Sequence, residues 1–286
     1  AILMTCSIAV AQEIDNIALL TQKGFFNPPK IVYCNNPCEE IKKVLKLQLK
    51  YSNSYNLENL KSLYADKYLN ADGFNKEIYF DLVKKTWDAY PDIKYKLQIN
   101  SIQINDNIAI AEISESAYAN TKSASGIINQ KGTLQNISEC IYYLEKINDE
   151  WLITSDYIIF EKTFLRYGSA KNIEINLIAP CQVQADTQYT TSLKIKPPKN
   201  SLIIASIGQE NITYPQSSSE EVFRKLPEEG ILERIFKSNN KNINEYSVAS
   251  FGITETELKD GKNLKIYITG LGFAMSRINV LPKNNY

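Results

Sequence analysis

Any chemistry that this 286-residue chain performs would have to use Asp, Glu, Tyr, Lys or Cys side chains, because it contains no histidine. Histidine is the usual general base near neutral pH and the commonest metal ligand in proteins. Its absence excludes Ser-His-Asp and Cys-His nucleophile sites and every metal site that needs an imidazole. The acids and cysteines do not have the spacing of metal ligands, so the sequence predicts neither a metal nor a cofactor.

Asp156 is the best single candidate for an acid or base, with Tyr157 beside it. It lies in the strand-like run WLITSDYIIF, residues 151–160, in opposite phase to Trp151 and Ile153. If that phase faces the interior, burial raises the pKa of Asp156 and makes it a general base. If the phase faces outward, Asp156 is a solvated strand residue.

Two glutamates on another strand-like run, Glu112 and Glu115, lie three residues apart. Side chains alternate between the two faces of a strand, so these carboxylates point to opposite sides. An acid and a base that act together must converge on one point. The sequence therefore excludes a carboxylate dyad made of these two residues.

Aromatic side chains supply the predicted lining of a pocket. An apolar or sugar-like ligand would contact their rings. A buried tyrosine needs a partner for its hydroxyl group, which suits a partly hydrated cavity. Their helical and alternating spacing is also typical of core or rim residues. The predicted ligand-binding set is Tyr64, Trp87, Tyr90, Tyr95, Tyr142 and Asp156, with Trp151 as a further aromatic neighbour.

The spacing of apolar residues is typical of helices in the first part of this region and of strands in the part that follows. PCEEIKKVLKLQLKYSNSY has helical spacing, Asn56 can cap a second short helix, and NKEIYFDLVKKTWDAY reads as a third helix that stops at Pro91. The runs IKYKLQINSIQI and IAIAEISESAYA then alternate with a period of two, and a last hairpin turns at residues 148–150. Residues 37–168 are therefore predicted as an α+β domain with three helices packed on a curved antiparallel sheet.

The remainder, residues 169–286, has no sustained helical pattern. Short apolar runs recur about every ten residues and are separated by turn signals such as Pro197-Pro198 and Asp260-Gly261. This spacing predicts an all-β, immunoglobulin-like antiparallel sandwich. The Cys…Trp…Cys spacing of true immunoglobulin domains is absent from the sequence, so only the architecture is predicted.

The N-terminal run AILMTCSIAVAQ combines an apolar stretch with Ala9-Val10-Ala11, an A-x-A cleavage pattern. Residues 1–11 are interpreted as the remnant of a signal peptide and residues 12–36 as a linker or strap, which predicts an exported protein, periplasmic or secreted. An ordinary buried N-terminal segment and a lipoprotein signal ending at Cys6 are the alternatives. Apolar runs long enough to span a bilayer are absent from the sequence.

The charge balance bears on the possible partners of the protein, and the cysteines bear on its possible disulfides. Lys and Arg together number 32, as do Asp and Glu, so no net field favours nucleic acid. In an exported chain, Cys34 and Cys38 of CNNPC could close a small disulfide loop. Cys140 and Cys181 are predicted as small buried apolar residues.

One resemblance adds to these predictions. The order of three helices followed by strands, and the closing LEKINDEWLITSDYIIF with its polar turn, Trp151, Ile153 and Asp-aromatic pair, make residues 38–167 resemble the nuclear transport factor 2-like (SnoaL-like) superfamily. The resemblance implies a cone-shaped fold with a pocket at its wide end. Members include isomerases, dehydratases and polyketide cyclases, and also non-catalytic modules that bind ligands or dimerise. Where enzymatic members frequently place a histidine, two residues after Ser155, this chain has Tyr157.

Three functional hypotheses follow from these features. The first is an exported, non-catalytic protein that binds a small apolar or amphipathic ligand, or dimerises through its sheet, while the sandwich docks to an envelope partner. The second is a histidine-free lyase or isomerase that uses Asp156 with tyrosine donors. The third is a structural envelope or adhesion module.

Overall fold

The computed structural model describes residues 36–198, 201–216, 221–259 and 263–283. The predicted signal-peptide remnant, Cys6, nearly all of the strap and Cys34 lie outside these residues. Three helices open the described part: α1 (Asn36–Asn53), α2 (Leu57–Ser62) and α3 (Lys76–Ala89). In the described part of the chain, no helix has the length and apolar content that crossing a membrane requires.

The helix boundaries follow local sequence signals. The side chain of Asn56 accepts a hydrogen bond from the backbone N–H of Asn59 at the start of α2, and Asn75 does the same for Ile78 in α3. The third helix ends at Ala89, two residues before Pro91, which cannot continue it. These three helices agree with the predicted order.

Four long antiparallel strands follow the helices and pair in sequence order. The last hairpin turns at Asn148 and Asp149, whose φ angles of 50° and 64° are typical of a tight two-residue turn. One face of the sheet packs on the helices around Ile41, Leu45 and Ile153, which are fully buried. The strands are β1 (Lys94–Asn105), β2 (Ile108–Ala124), β3 (Lys131–Ile147) and β4 (Glu150–Gly168).

The second half of the chain is almost entirely β-structure, as predicted. A 3-10 turn at Ser169–Asn172 leads into it, and three strands, Ile175–Ile178 (β5), Gln188–Ile195 (β7) and Ile231–Lys237 (β10), form a separate sheet. A second apolar core, around Leu193, Ile207 and Phe251, is built from both sheets. The strands are β5 (Ile175–Ile178), β6 (Gln182–Gln184), β7 (Gln188–Ile195), β8 (Ser201–Asn211), β9 (Arg224–Lys225), β10 (Ile231–Lys237), β11 (Glu245–Lys259) and β12 (Asn263–Leu281).

The large sheet runs through both halves of the chain. Residues 162–168 at the end of β4 pair with residues 270–276 of β12, which gives the strand order β1-β2-β3-β4-β12-β11-β8-β9, with β6 beside β12. Gly168, where β4 ends, has φ +56°, and a Cβ there would lie 2.2 Å from the carbonyl oxygen of Thr269. The halves divided at residue 168 by sequence pattern are thus joined by backbone hydrogen bonds. They are called the helical unit and the β unit below.

The disulfide chemistry differs from the sequence-based prediction. Cys38 and Cys140 are both disulfide-bonded and both buried in the core between the helices and the sheet. Cys140 is thus buried as predicted, but it is not an unbonded apolar residue, because its inward position on β3 places it in the same core as Cys38. Cys181 is free and exposed rather than buried. The predicted pairing of Cys38 with Cys34 lies outside the described residues.

A cross-strand contact in the β unit gives a stability prediction. Gly272 on β12 lies opposite Phe251 on β11, and a Cβ on Gly272 would fall 2.0 to 2.7 Å from three ring carbons of Phe251. Phe251 is buried, so its ring has little space in which to move. We expect Gly272→Ala to lower the free energy of unfolding by about 1–3 kcal/mol, measured by urea denaturation.

Gly252 on the neighbouring strand provides the control for this substitution. A Cβ there would make ordinary contacts of 3.5 to 3.9 Å with Ile204 and Leu271. We expect Gly252→Ala to change the free energy of unfolding by less than about 1 kcal/mol. Equal effects of the two substitutions would contradict the proposed overlap with Phe251.

Candidate functional site

Asp156 lies in the interior of the helical unit, and an irregularity in β4 brings it there. Tyr143 pairs with Ser155 and Leu144 pairs with Ile153, so Thr154 is an extra residue that shifts the phase of β4. As a result Ile153 and Asp156 both face the interior, although they lie three residues apart. Asp156 is 6% exposed. The sequence left open whether Asp156 faces the interior or the solvent. In the structure it faces the interior.

Asp156 is held by a tyrosine and keeps one oxygen atom available. The hydroxyl of Tyr68 donates a hydrogen bond to Oδ2 of Asp156. Among the described residues, none donates to Oδ1. Burial raises the pKa of Asp156 to about 6, against the opposing effects of the Tyr68 hydrogen bond and of the positive charge of Arg277. Asp156 therefore titrates close to neutral pH.

The second carboxylate is Glu115 on β2, which sequence reasoning did not select. Its Oε1 accepts a 3.4 Å hydrogen bond from the hydroxyl of Tyr142, which in turn accepts one of 3.2 Å from the side chain of Gln48. Its Oε2 is buried and has no partner among the described residues. Burial, and next the charge of Asp156, raise the pKa of Glu115 well above its usual range. Glu112 is exposed, so these two glutamates lie on opposite faces, as predicted.

Tyrosine rings fill the space between the acids and the helices. Tyr64, Tyr68 and Tyr79 contact one another with ring centroids 5.1 to 5.3 Å apart, and the hydroxyls of Tyr64 and Tyr79 are 3.2 Å apart. Burial raises the pKa of each of these hydroxyls, so they remain protonated and can donate hydrogen bonds. The interior is thus a polar, aromatic cluster rather than an empty cone.

The remaining predicted site residues do not all join this cluster. Trp87 and Tyr95 lie together, with the indole N–H of Trp87 donating to the hydroxyl of Tyr95 at 3.1 Å. Tyr90 is buried in a separate apolar group, which raises its pKa to about 12. Tyr157 is partly exposed and does not contact either recess described below. Trp151 is buried, and its N–H donates to Glu40.

Two recesses reach this cluster, and Tyr79 lines both. The Asp156 recess has about 430 Å³ of empty space, part of it open to solvent, and lies where the two units meet. The Glu115 recess has about 370 Å³, also partly open, and lies between α1, α3 and the start of β1. The Asp156 recess is lined by Asn70, Asp72, Phe74, Tyr79, Leu82, Tyr142, Asp156, Ile158, Ile212 and Tyr246. The Glu115 recess is lined by Gln48, Leu49, Ser52, Leu60, Tyr79, Val83, Trp87, Tyr95, Lys96 and Glu115.

A buried ion pair includes Asp72, one of the residues that line the Asp156 recess. Arg277 of β12 donates to both carboxylate oxygens of Asp72, at 2.6 and 3.0 Å, and its Nε donates to Asn279 at 2.9 Å. Asn244 also donates to Asp72, at 2.8 Å. Because Asp72 belongs to the helical unit and the other three residues to the β unit, this network holds the two units together at the recess.

A third acid lies on the same side of the cluster. Glu161 of β4 accepts hydrogen bonds from Asn136 at 3.0 Å and from the hydroxyl of Tyr246 at 3.1 Å. Burial raises its pKa, although Arg277 and these hydrogen bonds oppose the rise. Across the described ranges, no three Asp, Glu or Cys side chains are grouped as metal ligands would be.

Comparisons with known proteins leave the family open. Neither the models of known protein families nor the curated proteins gave any match to the sequence. Among solved structures, the chain is similar to Bd1075 of Bdellovibrio bacteriovorus (12% identity, TM-score 0.34), covering 42% of this chain and only 39% of that one.

Two other solved structures match over most of their own length. One is a conserved protein from Planctomyces limnophilus (16% identity, TM-score 0.36, 41% of this chain and 90% of that one). The other is the hexachlorocyclohexane dehydrochlorinase LinA-type3 from Novosphingobium barchaimii (13% identity, TM-score 0.35, 51% and 90%). Similarities at this level assign no activity to the chain.

Proposed function

We propose that this chain is a ligand-binding protein whose Asp156 recess holds a small amphipathic molecule. The observation that carries the proposal is Asp156, a residue only 6% exposed that lines the recess and whose Oδ1 receives no hydrogen bond from the described residues. Buried polar groups in proteins are nearly always hydrogen-bonded, so a ligand hydroxyl or amine is a fitting partner. Phe74, Leu82 and Ile212 offer apolar contacts to the rest of such a molecule.

The proposal includes export and a fold assignment for each unit. The A-x-A pattern near the N-terminus supports export, and so does the disulfide bonding of Cys38 and Cys140, since disulfides persist in oxidising compartments. Three helices followed by four antiparallel strands support a nuclear transport factor 2-like helical unit. Two packed sheets support an immunoglobulin-like arrangement for the β unit.

Native mass spectrometry tests the binding proposal. The protein is incubated with a small-molecule metabolite extract, and bound species are compared between the wild type and two variants. We expect a species bound to the wild type to be lost in Asp156→Asn, which removes the charge at the recess. It should be retained in Asp149→Asn, which changes an exposed residue of a hairpin turn. A wild type with no bound species, or equal binding to both variants, would refute the proposal.

A lyase or isomerase is the second candidate, favoured by a specific observation. The pKa of Asp156 is raised to about 6 by burial, which suits a general base near neutral pH, and the hydroxyl of Tyr68 holds its carboxylate in place. In this reading Asp156 removes a proton from the bound molecule. Conversion of the molecule in solution during incubation with the wild type, and no conversion during incubation with Asp156→Asn, would decide for catalysis.

A further inference from the structure

The Glu115 recess contains an unsatisfied buried acceptor. Glu115 is 6% exposed, its side chain lines the recess, and its Oε2 has no hydrogen-bond partner among the described residues. Oε1 is occupied by the hydroxyl of Tyr142. Since buried polar atoms are normally paired, Oε2 marks the point where a hydrogen-bond donor from outside the chain fits.

The walls of this recess define the chemistry of the donor. The rings of Tyr79, Trp87 and Tyr95 line it, and the hydrogen bond from Trp87 to Tyr95 fixes two of them. Aromatic faces attract cations, and a carboxylate forms its strongest hydrogen bonds with charged donors. A carboxylate that shares a recess with three aromatic rings therefore fits an organic ammonium group better than a neutral alcohol.

A lysine in the lining of the recess limits the positive charge that a ligand can carry. Lys96 lines the recess and is exposed. Its positive charge would repel a second ammonium group, so a monoamine fits better than a diamine. We infer that the Glu115 recess binds a small primary alkylammonium ion, whose N–H donates to Oε2 of Glu115 and whose carbons pack on Trp87 and Tyr95.

Proton release would accompany this binding. Without a ligand, burial and the charges of Asp156 and Glu161 raise the pKa of Glu115, which favours the protonated carboxyl. The ammonium group supplies a counter-charge, so its binding stabilises the carboxylate and the carboxyl proton passes to the solvent. The other titratable groups around Glu115 are Tyr64, Tyr79, Tyr95, Lys96 and Tyr142.

Isothermal titration calorimetry with butylammonium chloride tests the inference. We expect wild-type binding with release of roughly one proton, detected from the difference between buffers of unlike ionisation enthalpy. Glu115→Gln should weaken binding by about tenfold or more, because it removes the charge but keeps an acceptor for Tyr142. Glu112→Gln, on the opposite face of the same strand, should bind as the wild type does.

Neutral butanol and 1,4-diaminobutane serve as ligand controls on the wild type, so the test does not depend on the folding of a variant. Both should bind more weakly than butylammonium. Butylammonium that binds no better than butanol would overturn the inference, as would undiminished binding by a folded Glu115→Gln variant. Binding lost in Asp156→Asn but kept in Glu115→Gln would place the cation in the other recess and would also overturn it.

Discussion

The Asp156→Asn variant is expected to be more stable than the wild type at pH 8, by about 3 kcal/mol, and nearly equal to it at pH 4. Burial raises the pKa of Asp156 from 3.8 to about 6 in the folded protein. Between these two values the folded protein keeps a proton that the unfolded chain has lost. Each pH unit of this window costs about 1.4 kcal/mol, which sums to the stated difference.

The same pH range determines that Asp156→Asn stabilises the protein rather than destabilises it. A protonated Asp156 spares the folded wild type the cost of a buried charge. This stability is fully present below about pH 4 and is lost as the pH rises through about 6. Asparagine has no charge to bury at any pH, and its amide oxygen can still accept the hydrogen bond from Tyr68. The substitution therefore removes the cost of ionisation and keeps the contact.

Urea denaturation of both proteins at pH 4, 6 and 8 measures this difference. Asp149→Asn is the control, because Asp149 is exposed in a hairpin turn, and it should change the free energy of unfolding by less than about 0.5 kcal/mol at each pH. A difference between Asp156→Asn and the wild type that stays constant with pH would mean that Asp156 does not titrate in this window.

Local structure could be read from the sequence because its signals are local. Asn56 and Asn75 cap the helices through bonds to residues three positions away, and the turn at Asn148 and Asp149 requires only its own backbone conformation. The alternation of buried and exposed residues along β2 also indicated a buried acid, which the sequence analysis did not identify. Glu115 occupies the same phase as the buried Ala109, Ala111, Ile113, Ala117 and Ala119, so an acid facing the core could have been predicted there.

Other features depend on contacts that no local pattern encodes. The extra residue Thr154 reverses the phase of β4, so periodicity alone could not place Asp156. The pairing of β4 with β12 joins residues about a hundred positions apart, and the sequence pattern gave only a boundary at Gly168. The disulfide bonding of Cys140 was missed for the same reason.

Arg277 is the least predictable residue of the site and has the largest expected effect. Its side chain is fully buried and pairs with the carboxylate of Asp72, whose side chain is 6% exposed. We expect Arg277→Met to lower the free energy of unfolding by about 3–5 kcal/mol, because the substitution leaves the charge of Asp72 buried without a cation. Urea denaturation at pH 7 measures this loss.

Two further variants separate charge from packing in that result. In Asp72→Asn/Arg277→Met the charge of Asp72 is removed together with that of Arg277, so the double variant should recover part of the loss. Lys237→Met breaks an ion pair with Asp186 in which the side chains are 60% and 38% exposed, and it should cost less than about 1 kcal/mol. A cost for Arg277→Met as small as that of Lys237→Met would contradict the buried pair.

The same arginine also links the junction of the two units to the candidate site. The charge of Arg277 lowers the pKa of Asp156, against the larger effect of burial. In Arg277→Met the pKa of Asp156 should therefore rise further, and the pH at which Asp156→Asn gains its stability advantage should move upward when measured in that background. An unchanged pH dependence would show that the ion pair with Asp72 holds the units together without acting on Asp156.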